Sequence, residues 1–217
     1  KIDLANPRTS SRPIPSNRVS MKFVYYFLSI SLVFYFLSCF LICELIFFLS
    51  PIPIIFFIIY PYTKRFTKFC HFFLGISLAL GPIGGSIASV CDMQGLYNVF
   101  PIAAFTIFWI SGFDILYSLQ DYSHDVKNNI FSIPSNFGQK TAIKISSGCF
   151  ILSIACLVYY CFLFNLSILS FFIVTIISIN FFLQIFNSLK NNYSFFQYNS
   201  YVGFLILILV ISDILFI

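Results

Sequence analysis

The chain has 217 residues, of which 59% are hydrophobic, 21% aromatic and only 9% charged. An ordinary soluble domain carries about 25% charged residues to cover its surface, and a mean hydropathy of +0.95 excludes that class together with disordered, collagen-like and disulfide-scaffold chains. The net charge of +5 does not point to nucleic acid, because the 12 basic residues stand in short stretches between apolar runs, where membrane topology accounts for them.

A spanning helix needs about 20 mostly apolar residues. In chain order the apolar runs predict spans at roughly 20–42, 45–62, 70–91, 98–120, 142–164, 166–187 and 199–217. The expected fold is therefore all-α, a multi-pass transmembrane helical bundle of about seven spans. Pro51 and Pro53 predict irregularity near the start of the second span. The third carries Gly75, Gly81, Pro82, Gly84 and Gly85. Small residues let helices approach closely in lipid, so this stretch reads as a packing surface first and a substrate-cavity wall second. The polar opening, which begins at Lys1 rather than Met and shows no apolar core of a signal peptide, reads as the start of a fragment.

Every Lys and Arg falls into alternate connections. Lys1, Arg8, Arg12, Arg18 and Lys22 stand at or before the first span; Lys64, Arg65 and Lys68 lie between the second and third. Lys127, Lys140 and Lys144 lie between the fourth and fifth, and Lys190 between the sixth and seventh. The remaining connections hold Glu44 and Asp92 and no base. By the positive-inside rule the N-terminus and the basic loops face the cytoplasm and the C-terminus faces outside. A span missed or added would break this alternation. The seven cysteines include no C-x-x-C pair, and His71 and His124 sit near no cysteine pair, so the thiols read as small hydrophobes rather than metal ligands.

Chemistry concentrates where the fourth span runs into its cytoplasmic connection. Asp114, Tyr117, Asp121 and Asp125 recur at helical spacing and would share one face. An ionisable residue within a span, such as Asp114, points to a polar cavity; a merely solvated segment would account for Asp121 and Asp125 but not for Asp114. Mg²⁺ keeps several waters and is typically held by one or two carboxylates plus substrate phosphates. The face therefore predicts a Mg²⁺–phosphate or Mg²⁺–diphosphate site at the membrane's cytoplasmic edge, with Asp121 and Asp125 on the metal and Arg8, Arg12 and Lys127 available to phosphate oxygens. No P-loop, G-x-G-x-x-G, H-E-x-x-H or G-x-S-x-G motif competes. A diphosphate on a greasy tail suits such a chain: the head sits on metal and the tail lies between helices.

Three segments carry a resemblance. K-I-D-L-A-N-P-R-T-S-S-R-P-I-P-S (1–16) resembles the end of the first Asp-rich motif of the UbiA-type intramembrane prenyltransferases, N-D-x-x-D-x-x-x-D followed by R-T-x-x-R-P. D-I-L-Y-S-L-Q-D-Y-S-H-D (114–125) is similar to their second motif, and Y-P-Y-T-K-R-F-T (60–67) to their Y-P-x-x-K-R-x-T segment. The likeness covers essentially the whole chain and is greatest to the 4-hydroxybenzoate polyprenyltransferases. It implies one transmembrane prenyltransferase domain over 1–217, corresponding to the C-terminal seven helices of a nine-helix fold, with the first two helices and the start of the first motif missing. It further implies a Mg²⁺-dependent transfer from polyprenyl diphosphate to an aromatic acid, in a bacterial inner membrane with the site facing the cytoplasm. Asp3 would join Asp121 and Asp125 on the metal, Asp114 and Tyr117 would complete the catalytic set, and Arg65 would pair with the acceptor's carboxylate. The acceptor is 4-hydroxybenzoate on the leading reading and a menaquinone precursor on the next; a multi-pass transporter and a non-catalytic remnant are the readings of other classes.

Overall fold

The computed structural model describes residues 9–190 and 195–216, so Asp3 and Arg8 lie outside the described residues. Among these residues there are α-helices, one 3-10 turn and no strand. The helices are α1 (Met21–Ile42), α2 (Glu44–Leu49), α3 (Pro51–Thr63), α4 (Cys70–Val90), α5 (Gly95–Ser118), α6 (Tyr122–Lys127), α7 (Ile133–Phe137), α8 (Gln139–Leu163), α9 (Ile168–Leu189) and α10 (Phe195–Phe216), with the 3-10 turn at Leu119–Asp121 between α5 and α6.

Among the described residues, six stretches are long and apolar enough to cross a membrane: α1, α2–α3 together, α4, α5 through α6, α8 and α9. The seventh expected crossing coincides with α10, a helix of 22 residues within which Gln197–Ile211 is a shorter apolar stretch. The protein is thus a multi-pass membrane protein. The irregularity expected from Pro51 and Pro53 falls at Ser50, and Pro51 opens α3, where a missing N–H costs nothing.

The chain forms two compact units, Lys1–Ile52 and Pro53–Ile217. In the first, the Ser20 hydroxyl caps α1 by accepting the Phe23 N–H at 3.3 Å. Extended backbone at Cys43 ends α1 and starts α2. Phe40 meets Phe47 edge-on at 5.7 Å, and the Tyr35 hydroxyl donates to the Ser50 carbonyl at 2.9 Å. Phe23, Tyr26, Phe34 and Leu41 stand exposed along α1, as expected of a surface solvated by acyl chains.

In the second unit α5 is central. It packs against α4 and against α8; α9 packs against α8, and α10 against α9. Glycines let α5 approach its neighbours. A Cβ at Gly75 of α4 would lie 2.5 Å from both the Ile107 carbonyl oxygen and Ser111 Oγ, and one at Gly112 would lie 3.0 Å from the Phe150 ring. Phe150 in turn stacks on Phe181 of α9 with centroids 4.3 Å apart. Phe105, Leu116, Leu157, Ile177 and Leu209 complete the core. The packing surface expected over the whole glycine run of α4 is confined to Gly75: a Cβ at Gly81, Gly84 or Gly85 would meet nothing within 4 Å.

Polar side chains within the spans are satisfied mostly inside their own helix. Thr106, Ser147, Thr175 and Ser178 each donate to the carbonyl four residues back, and Gln184 Nε2 donates to Asn180 Oδ1 at 2.8 Å within α9. Fewer bonds run between helices; Ser146 Oγ donates to the Gly112 carbonyl at 2.7 Å, and Trp109 Nε1 to Asn199 Oδ1 at 2.8 Å.

α6 and α8 end alike. Asn129 and Asn165 adopt left-handed φ of 50° and 51°, while the following Ile130 and Leu166 donate back to Asp125 and Cys161 at 2.9 Å. This is the Schellman closure, and Asn tolerates the left-handed residue it needs.

Candidate active site

The end of α5, the 3-10 turn and α6 bury three carboxylates: Asp114 is 8% exposed, Asp121 8% and Asp125 4%. Charges held this far from water require partners. Asp114 has one from α4: His71, fully buried, places Nδ1 at 2.7 Å from Asp114 Oδ2. On its other side His71 Nε2 accepts the Ile133 N–H at 3.3 Å. That amide opens α7, whose end is fixed by a reciprocal cap: Ser132 Oγ accepts from the Ser135 N–H, and Ser135 Oγ accepts from the Ser132 N–H.

The four-residue face expected from the spacing is not one straight helix. α5 stops at Ser118, and Leu119–Asp121 form a 3-10 turn before α6 begins. Each 3-10 residue turns about 120° rather than about 100°, so the line through Asp114 and Tyr117 does not run straight onto Asp125. Asp114 belongs to the packed α4–α5 contact, whereas Asp121 and Asp125 sit in the turn and short helix beyond it.

Asp121 and Asp125 act on each other's charge, and Lys64, at the start of the α3–α4 connection, acts on Asp125 as well. His124 Nδ1 lies 3.7 Å from Asp125 Oδ1, too far for a hydrogen bond. Asp125 Oδ2 is buried with no hydrogen-bond partner among the described residues. The Phe131 N–H donates to the Lys64 carbonyl at 2.9 Å, and the Cys70 thiol donates to the Phe131 carbonyl at 3.7 Å, so the strand of chain after α6 is docked against the start of α4.

The described basic candidates are solvent-facing. Arg65 is exposed, its guanidinium 5.1 Å above the Tyr62 ring. Lys127 is exposed at the end of α6, and Arg12 is exposed within the first unit. Tyr117 is half-buried and stacks on Phe113 at 6.0 Å. His71 and Lys64 were not legible as site residues. His71 lies 43 residues from Asp114 with no motif linking them, and Lys64 reads as a topology charge and as the Lys of the Y-P-x-x-K-R-x-T segment, with no role attached to it.

Among the described residues no group of three or more His, Cys, Asp or Glu side chains is arranged to hold a metal alone. The residues fit a shared cation instead. Asp125 Oδ2, buried without a hydrogen-bond partner among the described residues, and the buried carboxylate of Asp121, which acts on it electrostatically, are hard oxygen donors of the kind that hold Mg²⁺ when phosphate oxygens and water supply the remaining ligands.

The UbiA prenyltransferase family model matches residues 1–210. The chain is 28% identical over 221 residues to the 4-hydroxybenzoate octaprenyltransferase of Vesicomyosocius okutanii, covering 98% of this chain and 78% of that protein. It is 28% identical over 142 residues to the mitochondrial 4-hydroxybenzoate polyprenyltransferase of Schizosaccharomyces pombe, covering 65% of this chain and 40% of the relative. With the 4-hydroxybenzoate octaprenyltransferase of Shewanella loihica the identity is 30% over 144 residues, covering 64% of this chain and 48% of that protein. The chain thus spans less than half the length of the latter two relatives. Among solved structures, the apo structure of a UbiA homolog from Aeropyrum pernix K1 superimposes with a TM-score of 0.91 at 26% identity, covering 98% of this chain and 80% of that one.

Proposed function

Since this chain belongs to the UbiA prenyltransferase family, we propose that it transfers a polyprenyl group from polyprenyl diphosphate to 4-hydroxybenzoate in quinone biosynthesis, with Mg²⁺ as cofactor and its site at the cytoplasmic face of the membrane. The observation that carries this reading is the buried Oδ2 of Asp125, without a hydrogen-bond partner among the described residues and under the electrostatic influence of Lys64 and Asp121. Asp121 and Asp125 hold the cation, joined on the family's pattern by Asp3. Mg²⁺ held there would supply positive charge to offset that of the leaving diphosphate. Lys64, Lys127, Arg8 and Arg12 add positive charge toward the phosphate oxygens. Asp114 fixes the end of α5 on which Tyr117 stands, and the Phe113–Tyr117 stack offers aromatic faces to a cation-like allylic group. Arg65 pairs with the acceptor's carboxylate and directs the ring carbon ortho to the phenol toward that group. That carbon forms the new bond as the bond to diphosphate breaks, and the ring then loses its proton.

The names of the relatives support the aromatic-acid acceptor; their identities of 28–30% leave the choice of acid to experiment. The protein, returned to lipid from detergent, is incubated with labelled polyprenyl diphosphate, Mg²⁺ and either 4-hydroxybenzoate or a menaquinone precursor. Prenylated 4-hydroxybenzoate is the expected product. Turnover of the menaquinone precursor alone would replace the acceptor, and transfer to neither would overturn the reading.

A further inference from the structure

The prenyl-transfer reading has no use for His71, yet both of its ring nitrogens are engaged. A backbone amide can only donate, so the Nε2 that accepts the Ile133 N–H at 3.3 Å carries a lone pair. The ring is therefore neutral with its proton on Nδ1, donated to Asp114 Oδ2 at 2.7 Å. This imidazole is fully buried and has no open nitrogen, which disqualifies it as a metal ligand or a proton shuttle.

What it joins is informative. Asp114 precedes, and Ile133 follows, the stretch that carries Asp121 and Asp125. One ring on the first turn of α4 thus grips both ends of that stretch. The Ser132–Ser135 cap holds the Ile133 amide in place from the far side, and the Phe131 N–H bond to the Lys64 carbonyl anchors the same return. Without the ring, Asp114 and the Ile133 amide would each be left buried without a partner, and a segment with those two ends free is no longer held to one geometry.

We infer that His71 is a positioning residue that clamps the 114–133 segment so that Asp121 and Asp125 stand ready for a cation bearing a diphosphate. The kinetic part of this inference rests on the prenyl-transfer reading; the clamp itself does not.

Glutamine is the uncharged side chain of comparable length that offers both a donor and an acceptor, whereas phenylalanine fills the volume with neither. In substrate-free protein, His71→Phe should speed hydrogen exchange of the Ile133 amide and its neighbours about 10- to 100-fold, and His71→Gln should keep most of the protection. In the transfer assay, His71→Phe should raise the Mg²⁺ needed for half-maximal rate and the KM for polyprenyl diphosphate about tenfold, yet move the acceptor's KM less than about twofold; His71→Gln should stay close to wild type. Equal behaviour of the two variants, or parallel changes in both substrates' KM values, would overturn the clamp. If His71→Phe fails to accumulate, ring ¹⁵N shifts of the wild-type histidine still decide: a protonated Nδ1 with a bare Nε2 is expected, and the opposite tautomer or a doubly protonated ring would refute it. A wild-type protein that transfers nothing would refute the functional reading, while exchange and ring shifts would still test the clamp.

Discussion

Replacing Gly75 by alanine asks how firmly the α4–α5 contact is set. The new Cβ would stand 2.5 Å from the Ile107 carbonyl oxygen and 2.5 Å from Ser111 Oγ. Ser111 has little freedom to retreat, because its hydroxyl already bonds the Ile107 carbonyl at 2.6 Å and lies 3.3 Å from the His71 carbonyl. The Ile107 oxygen is backbone and moves only with α5. Relief therefore requires separating the two helices, and overpacking of this kind costs about 1–3 kcal/mol. Alanine also gains up to about 1 kcal/mol of helix propensity over glycine, which a second variant removes from the comparison. Gly84→Ala sits in the same helix with nothing within 4 Å of its Cβ. The difference between the two variants then isolates the steric cost. At about 2–4 °C per kcal/mol for a chain of this size, Gly75→Ala should melt about 2–12 °C below Gly84→Ala in detergent micelles followed by circular dichroism. Melting points within about 1 °C of each other would mean that the helices are not in the contact described.

Asp121→Asn and Asp125→Asn should each lower turnover by at least about 100-fold while leaving the protein in the membrane, as read by labelled transfer and by membrane fractionation; transfer that persists with Mg²⁺ chelated would refute the shared-cation site. Arg65→Ala should raise the KM for 4-hydroxybenzoate about 30- to 150-fold, the worth of a charged hydrogen bond, with a much smaller change for polyprenyl diphosphate. Arg65→Lys should recover part of it, and a loss confined to the diphosphate substrate would place this arginine at the other end of the site. With exposed Cys91 replaced by serine, a cysteine at Asn128 should be labelled from the cytoplasmic side and one at Asn98 from the opposite side; labelling of both from one side would overturn the topology.

The spans were legible because lipid imposes a length and an apolarity on any helix that crosses it, and each predicted run coincides with a helical stretch, including the discontinuity at Ser50 beside the prolines. The buried carboxylates were legible as a set because charge is rare in this chain. Their arrangement was not. Spacing assumes an unbroken α-helix, and no proline or glycine marks the 3-10 turn at Leu119–Asp121. The partner of Asp114 comes from another helix, so no local pattern announces His71. The glycines of α4 look alike in sequence, and only the neighbour each one faces separates Gly75, pressed on α5, from Gly81, Gly84 and Gly85.

The hydroxyls and amides within the spans have a consequence for biogenesis. A threonine or serine bonded to the carbonyl one turn back, or Gln184 bonded to Asn180, has that partner as soon as its own helix forms. Such segments can leave the translocation machinery one at a time without carrying their full polar debt into the hydrocarbon. The bonds of His71 to Asp114, Ser146 to the Gly112 carbonyl and Trp109 to Asn199 can form only after neighbours arrive. Insertion and docking are thereby separable stages, and these late bonds select the correct lateral arrangement among helices that are already stable in the bilayer.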